Sequence, residues 1–219
     1  MARITDYNSL VDEVGRWCNR RDLAERVPVF IQLAESDFDT RLRVREQQKT
    51  VEASVTCSSV NLPLDWLEAV RLWLDNQTPL HYVTPDRIMA SRSRHAYDLH
   101  PETWDRRTNL YTIQDNVIEL AAVPTTTLAL WMTYYSRVPR LDAANPTNWL
   151  LLREPALYLY GALLQAAPYM IDDQRIAVWS GLYEQRMAAM MASSNAARHS
   201  GSPLRRVIRG FGPSSRPHA

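Results

Sequence analysis

Between Pro155 and Pro168 runs a segment, residues 156–167, that is apolar nearly all round and carries no charge. A helix of that kind has no face to offer water, so it belongs at the centre of a core with other elements laid around it. It is well short of the ~20 apolar residues a membrane span requires. Pro168 ends it, because proline removes a backbone donor and crowds the preceding turn.

The neighbours of such a helix should be amphipathic, and three segments qualify. Thr5 or Asp6 can cap a first helix running to about Asn19, with Leu10, Val14, Trp17 and Cys18 on one face. A second follows Pro28 and sets Val27, Phe30, Ile31, Ala34, Phe38 and Leu42 at helical spacing. Glu35, Asp37, Asp39, Arg41 and Arg43 are then expected on its wet face. Asp172 or Asp173 caps a last helix in which Ile176, Trp179, Tyr183, Met187 and Met190 recur at threes and fours. Carboxylates at that position satisfy orphan N–H groups and the helix dipole.

The period changes after Gln48. Val51, Ala53 and Val55 alternate with Glu52, Ser54 and Thr56, as in a strand with one wet face. Residues 67–74 and 80–83 flank Asp75-Asn76-Gln77, which reads as a hairpin loop. Residues 110–113 and 117–120 flank Gln114-Asp115-Asn116, a second hairpin with turn-prone residues. Residues 128–136 form a third long β-type run, and 91–108 show no period and read as an exposed loop. The expected fold is therefore α+β: mainly a helical bundle, with a small antiparallel sheet inserted at about 49–138. Beyond Ala192, Ser, Gly, Pro and Arg dominate, so a body over 1–195 is expected to give way to a flexible arm over 196–219.

Charge marks the same boundary. Glu184 is the last acidic residue, and six arginines follow it: Arg186, Arg198, Arg205, Arg206, Arg209 and Arg216. Set against the net charge of +1, those six leave −5 on residues 1–185. In the arm, Leu204, Arg205, Arg206, Ile208, Arg209 and Phe211 interleave guanidinium forks with apolar anchors. That pattern suits a segment that orders on a protein groove, and equally an arm that grips a nucleic-acid backbone.

Catalytic chemistry is not indicated. Five histidines are scattered; His95 and His100 share a region with Asp98 and Glu102, but at no metal-ligand spacing. Six glycines form no phosphate-binding loop, and neither Cys18 nor Cys57 has the setting of a nucleophile or of a disulfide framework. No catalytic residue, metal or cofactor is expected. A reducing compartment fits the cysteine usage, and the first residues lack the apolar region of a signal peptide. Three Phe against seven Trp and ten Tyr favour side chains with a polar handle. Such rings suit half-buried contacts as well as ordinary cores.

Read together, several blocks resemble the head-to-tail adaptor (connector) proteins of tailed bacteriophages, in particular those of short-tailed phages. They are Trp17-Cys18-Asn19-Arg20-Arg21-Asp22-Leu23, the stretch from Val27-Pro28 to Leu42-Arg43-Val44-Arg45, and Asn61-Leu62-Pro63-Leu64-Asp65-Trp66-Leu67-Glu68. The most specific are Tyr134-Tyr135, Asn145-Pro146-Thr147-Asn148-Trp149-Leu150, Leu157-Tyr158-Leu159-Tyr160-Gly161-Ala162-Leu163, and Asp172-Asp173-Gln174-Arg175 with Trp179. The resemblance spans about residues 5–190 and is weakest over 91–108 and in the tail. It implies a virion structural protein, not an enzyme. Such adaptors assemble in the host cytoplasm as a homo-oligomeric ring, usually a dodecamer, beneath the portal. They join it to the tail or nozzle protein and help retain packaged DNA, with no membrane involved. In related adaptors a C-terminal arm docks on the portal, the role expected here for the six residues named above. Trp149, Tyr158, Trp179 and Tyr183 are the candidate subunit contacts. The alternative is a nucleic-acid-binding accessory protein that uses the arginine-rich tail.

Overall fold

The structure, a computed structural model, describes residues 3–74, 79–95, 109–122, 127–170 and 174–199. Helix α1 (Tyr7–Cys18) begins at a reciprocal cap: the Asp6 carboxylate accepts the Ser9 N–H at 2.8 Å, and Ser9 Oγ accepts the Asp6 N–H at 3.0 Å. It ends at Asn19, whose φ of 51° is the left-handed conformation asparagine tolerates. A 3₁₀ segment, Arg21–Arg26, leads into α2 (Val27–Arg41), with Pro28 in its first turn. All six apolar residues expected on the inner stripe of α2 are buried, Val27 through Leu42.

The uncharged run forms α5 (Pro155–Ala166), preceded by the one-turn helix α4 (Trp149–Arg153). α5 packs against α1, α2, α4 and the long α6 (Arg175–His199), which makes it the centre of the helical core. Gly161 lets α5 approach α2 and α6 closely, since a Cβ there would meet Ala34 Cβ at 3.2 Å and Tyr183 Cε2 at 3.3 Å. Burying Phe30, Phe38, Leu150, Leu151, Leu157 and Leu163 in this core is worth ~1.5–3 kcal/mol for each side chain. The N-terminal cap expected from Asp172 or Asp173 lies outside the described residues.

Residues 48–136 form a second core. β1 (Gln48–Val55), β7 (Leu128–Ser136) and β3 (Trp66–Leu74) make one antiparallel sheet in the order β1-β7-β3. β2 (Ser59–Asn61), β6 (Val117–Leu120), β5 (Leu110–Gln114) and β4 (His81–Tyr82) make another in the order β2-β6-β5-β4. The two face each other through Val55, Leu72, Leu74, Leu130, Met132 and Tyr134 on one side and Tyr111, Ile118 and Leu120 on the other. The expected single sheet is thus two.

Two further expectations change. The hairpin over 110–120 forms, with Asp115 at φ 51° in its turn. The one flanking 75–77 reduces to a single Trp73–Pro79 bridge, because β3 pairs with β7 while β4 runs parallel to β5. Part of the expected loop over 91–108 belongs to a helix, α3 (Pro85–His95), which packs against β5 with Ile88 buried, while Arg92 pairs with Glu119 of β6 at 3.2 Å. Residues 96–108 lie outside the described part. α6 itself continues to His199, with Ser194 buried.

Candidate functional site

The chain leaves the helical core at residues 42–48 and returns at 136–148, and these two crossings lie side by side. Gln47, fully buried, accepts the Val44 N–H through Oε1 and donates from Nε2 to the Ser136 carbonyl at 3.3 Å. Ser136 Oγ donates back to the Gln47 carbonyl at 3.0 Å. Around this pair, Arg43 reaches Glu68 at 2.8 Å, Arg153 pairs with Glu46, and the Arg45 N–H donates to Ser194 Oγ at 2.8 Å. The end of α6 is thereby tied to the point where the chain enters the β lobe.

The returning connector is braced from within. Asn145 Nδ2 donates to the Arg140 carbonyl at 2.8 Å, and Asp142 Oδ1 accepts the N–H groups of Ala144 and Asn145. The Pro146 carbonyl accepts the Tyr7 N–H at 2.7 Å, at the start of α1. Asn148 caps α4 by accepting the Leu151 N–H, while its Nδ2 donates to the Pro139 carbonyl at 2.6 Å and to the Tyr158 hydroxyl at 2.7 Å. The Asn-Pro-Thr-Asn-Trp block is therefore a folding motif with both asparagine side chains committed.

α2 grips the same connector with two carboxylates. Glu35 is 3% exposed, against the expectation that it lies on a wet face. Its Oε1 accepts the Leu141 N–H at 2.8 Å and the Tyr158 hydroxyl at 3.2 Å. Burial pushes the Glu35 carboxyl up to about 7, opposed by those two donors and by the Arg140 charge. One turn on, Asp39 is also raised by burial, opposed by the nearby Val138 backbone and by the Arg137, Arg140 and Arg43 charges. Sequence reasoning missed this pair; the available signal was two acids four residues apart bordering a fully apolar stripe.

The four candidate contact aromatics divide by burial. Trp149 is half-buried, whereas Tyr158, Trp179 and Tyr183 lie inside the helical core at 0%, 3% and 3% exposure. Trp179 packs near Trp17 under the Arg175 guanidinium, and the Tyr183 hydroxyl donates to Asp37 while Arg41 covers its ring. Burial, reinforced by the acceptor carboxylates, raises the hydroxyls of Tyr158 and Tyr183 far above the ordinary phenol range. Leu204, Arg205, Arg206, Ile208, Arg209 and Phe211 lie outside the described residues.

Other surfaces carry isolated features. On the outer face of the three-stranded sheet Trp73 stacks on Trp131, ring centroids 6.3 Å apart, with Arg71 over Trp73 at 4.2 Å. Val29 and Leu33 are exposed on α2, and Leu64 is 92% exposed before β3. A cleft of ≈ 420 Å³ beside α1 is lined by residues including Val11, Gly15, Arg16, Asn19 and Arg20. Among the described residues no group of three or more His, Cys, Asp or Glu side chains is placed to hold a metal ion, and no helix is long and apolar enough to cross a membrane. What the geometry supplies is braced connections between the helical core and the β lobe.

Comparison with known proteins then bears on the role. No curated protein matches the chain. The family model described as SU10 adaptor protein matches residues 5–207, nearly the whole length.

Proposed function

We propose, on the premise that the chain belongs to the SU10 adaptor protein family of phage head-to-tail adaptors, how this member works in the virion. It is a structural protein that associates with phage head and tail components. In our reading it forms a homo-oligomeric ring, a dodecamer, that sits under the portal, carries the tail or nozzle protein below, and helps hold packaged DNA. Assembly takes place in the host cytoplasm, and no catalytic step is involved.

The observation that carries this reading is the family match over 5–207, which takes in the helical core, the β lobe and the start of the tail. Two features fit it. A ring needs heterologous side-to-side contacts that close on themselves, and the helical bundle offers the partly exposed Trp149 for one of them, with Tyr158, Trp179 and Tyr183 stiffening that wall from inside. The net −5 on residues 1–185 disfavours unregulated stacking of bodies, while the arginines after Glu184 favour an acidic docking surface.

The body over 1–195 would thus form the ring, and the arm over 196–219 would reach the portal through Leu204, Arg205, Arg206, Ile208, Arg209 and Phe211. Because α6 continues to His199, the informative truncation removes residues 200–219. The shortened subunit should keep its thermal transition and lose co-sedimentation with portal rings. Undiminished docking by the truncated protein would overturn the arm's role.

The charge asymmetry favours one other reading, a nucleic-acid-binding accessory protein. Its signature is DNA binding by the isolated subunit that weakens steeply with salt and disappears on the same truncation.

A further inference from the structure

The β lobe hangs from the helical core by two crossings held in different ways. The outgoing one is fixed by the neutral Gln47 and Ser136, flanked by the Arg43–Glu68 and Arg153–Glu46 ion pairs. The returning one is fixed by acids: Glu35 holds the Leu141 N–H at 2.8 Å, and Asp39 is half-buried beside the Val138 backbone. Asp39 Oδ1 is buried with no hydrogen-bond partner of its own. Groups facing Glu35 come from every neighbouring element: Tyr7 from α1, Arg140 and the nearby Asp142 from the connector, Tyr158 from α5, and Asp39 from α2 itself. Arg137 and Arg140 are both exposed, so solvent screens their charge, and the half-buried Arg43 reaches Asp39 at its backbone carbonyl, at 2.9 Å. No fully buried cation balances Glu35 among the described residues, so this attachment of the lobe responds to protonation near neutral pH.

We infer that Glu35 and Asp39 form a releasable latch on the connector spanning residues 137–142, closed when it is held against α2 and open when it swings free and lets the β lobe move relative to the helical core. Closing removes Glu35 from water, and opening returns it. A buried acid without a cation binds its proton more tightly when closed, at about pH 7, than in the solvated open state, at the ordinary 4.5. The closed state therefore holds more protons across that window, and opening becomes easier as pH rises from about 5 to 7, then levels off. Tyr158 and Asn148 transmit the release, since the hydroxyl that donates to Glu35 also accepts from the residue that caps α4. The latch gives an adaptor two arrangements of its lobes separated by a small free energy, the kind of element a binding partner can bias. It stands independently of the portal-docking reading.

Amide hydrogen exchange on the full chain tests it. The Leu141 amide, corrected for intrinsic chemical exchange, should open one to two orders of magnitude more at pH 8 than at pH 5. Amides in the middle of α5 should hold their protection across the same range. Glu35→Gln keeps an acceptor without a titrating group, and should remain protected at both pH values. Glu35→Ala should be open at both. Wild-type protection at Leu141 that is the same at pH 5 and pH 8, or a pH response that survives in Glu35→Gln, overturns the latch. Should Glu35→Ala fail to fold, the wild-type and Glu35→Gln series decide the question by themselves.

Discussion

The hydroxyl of Ser194 accepts the backbone N–H of Arg45 at 2.8 Å, joining the last turns of α6 to the crossing into the β lobe. Ser194 is 2% exposed, so its loss leaves a donor with poor access to water. Ser194→Ala should cost about 1–3 kcal/mol and lower the melting temperature by several degrees, read by calorimetry. An unchanged transition would show that water replaces the hydroxyl.

Glycines in the helices should respond in opposite directions. Gly161 faces Ala34 and Tyr183 at 3.2 and 3.3 Å, and neither neighbour can withdraw without moving a helix. Gly161→Val should destabilise by about 2–3 kcal/mol through overpacking. Gly15 in α1 has nothing within 4 Å of an added Cβ, so Gly15→Ala should stabilise by up to about 1 kcal/mol from helix propensity alone. Urea unfolding of the two variants measures both.

Tyr158→Phe removes one donor to Glu35 and one acceptor for Asn148. The stability cost should be about 1–2 kcal/mol. The variant also makes a spectroscopic prediction. Tyr158 helps to hold the Glu35 carboxyl down against burial, so the Glu35 carboxyl carbon should titrate above its wild-type midpoint in NMR. A midpoint at or below the wild-type value would contradict the hydrogen bond.

Acid should weaken the β lobe at a different point. Burial pushes Asp65 up, but the Lys49 ammonium at 2.6 Å and the Tyr134 hydroxyl at 2.8 Å overcome it and hold the carboxyl below its ordinary range. A depressed carboxyl adds stability that is present above its unfolded value, near 3.8, and is lost as pH falls through the lower folded value. Asp65→Asn should therefore cost stability at pH 7 and progressively less as the pH falls below 3.8, a trend that unfolding curves across the acid range will show.

Much of the helical core was legible because its spacing is local. The six inner residues of α2 and the recurring Trp179, Tyr183, Met187 and Met190 of α6 need no knowledge of partners to be assigned. Glu35 was assigned to the wet face because it carries a charge, yet its burial is decided by Leu141, 106 positions away. The pairing of β3 with β7 and of β4 with β5 is long-range in the same sense, and turn residues near 75–77 could not reveal it. α3 is short and rich in Arg and Ser, with Ile88 its buried hydrophobic residue, so it gave no period to read. The candidate contact aromatics were correctly seen as large and amphipathic, but composition does not distinguish a ring spent inside a subunit from one kept for its surface.

Because Gln47 and Ser136 sit beside each other while 89 positions apart in the chain, the helical core experiences the whole β lobe as a loop whose ends already touch. Closing such a loop carries an entropic cost that grows only logarithmically with its length. The lobe can therefore lengthen, shorten or be exchanged with little consequence for how the helices find one another.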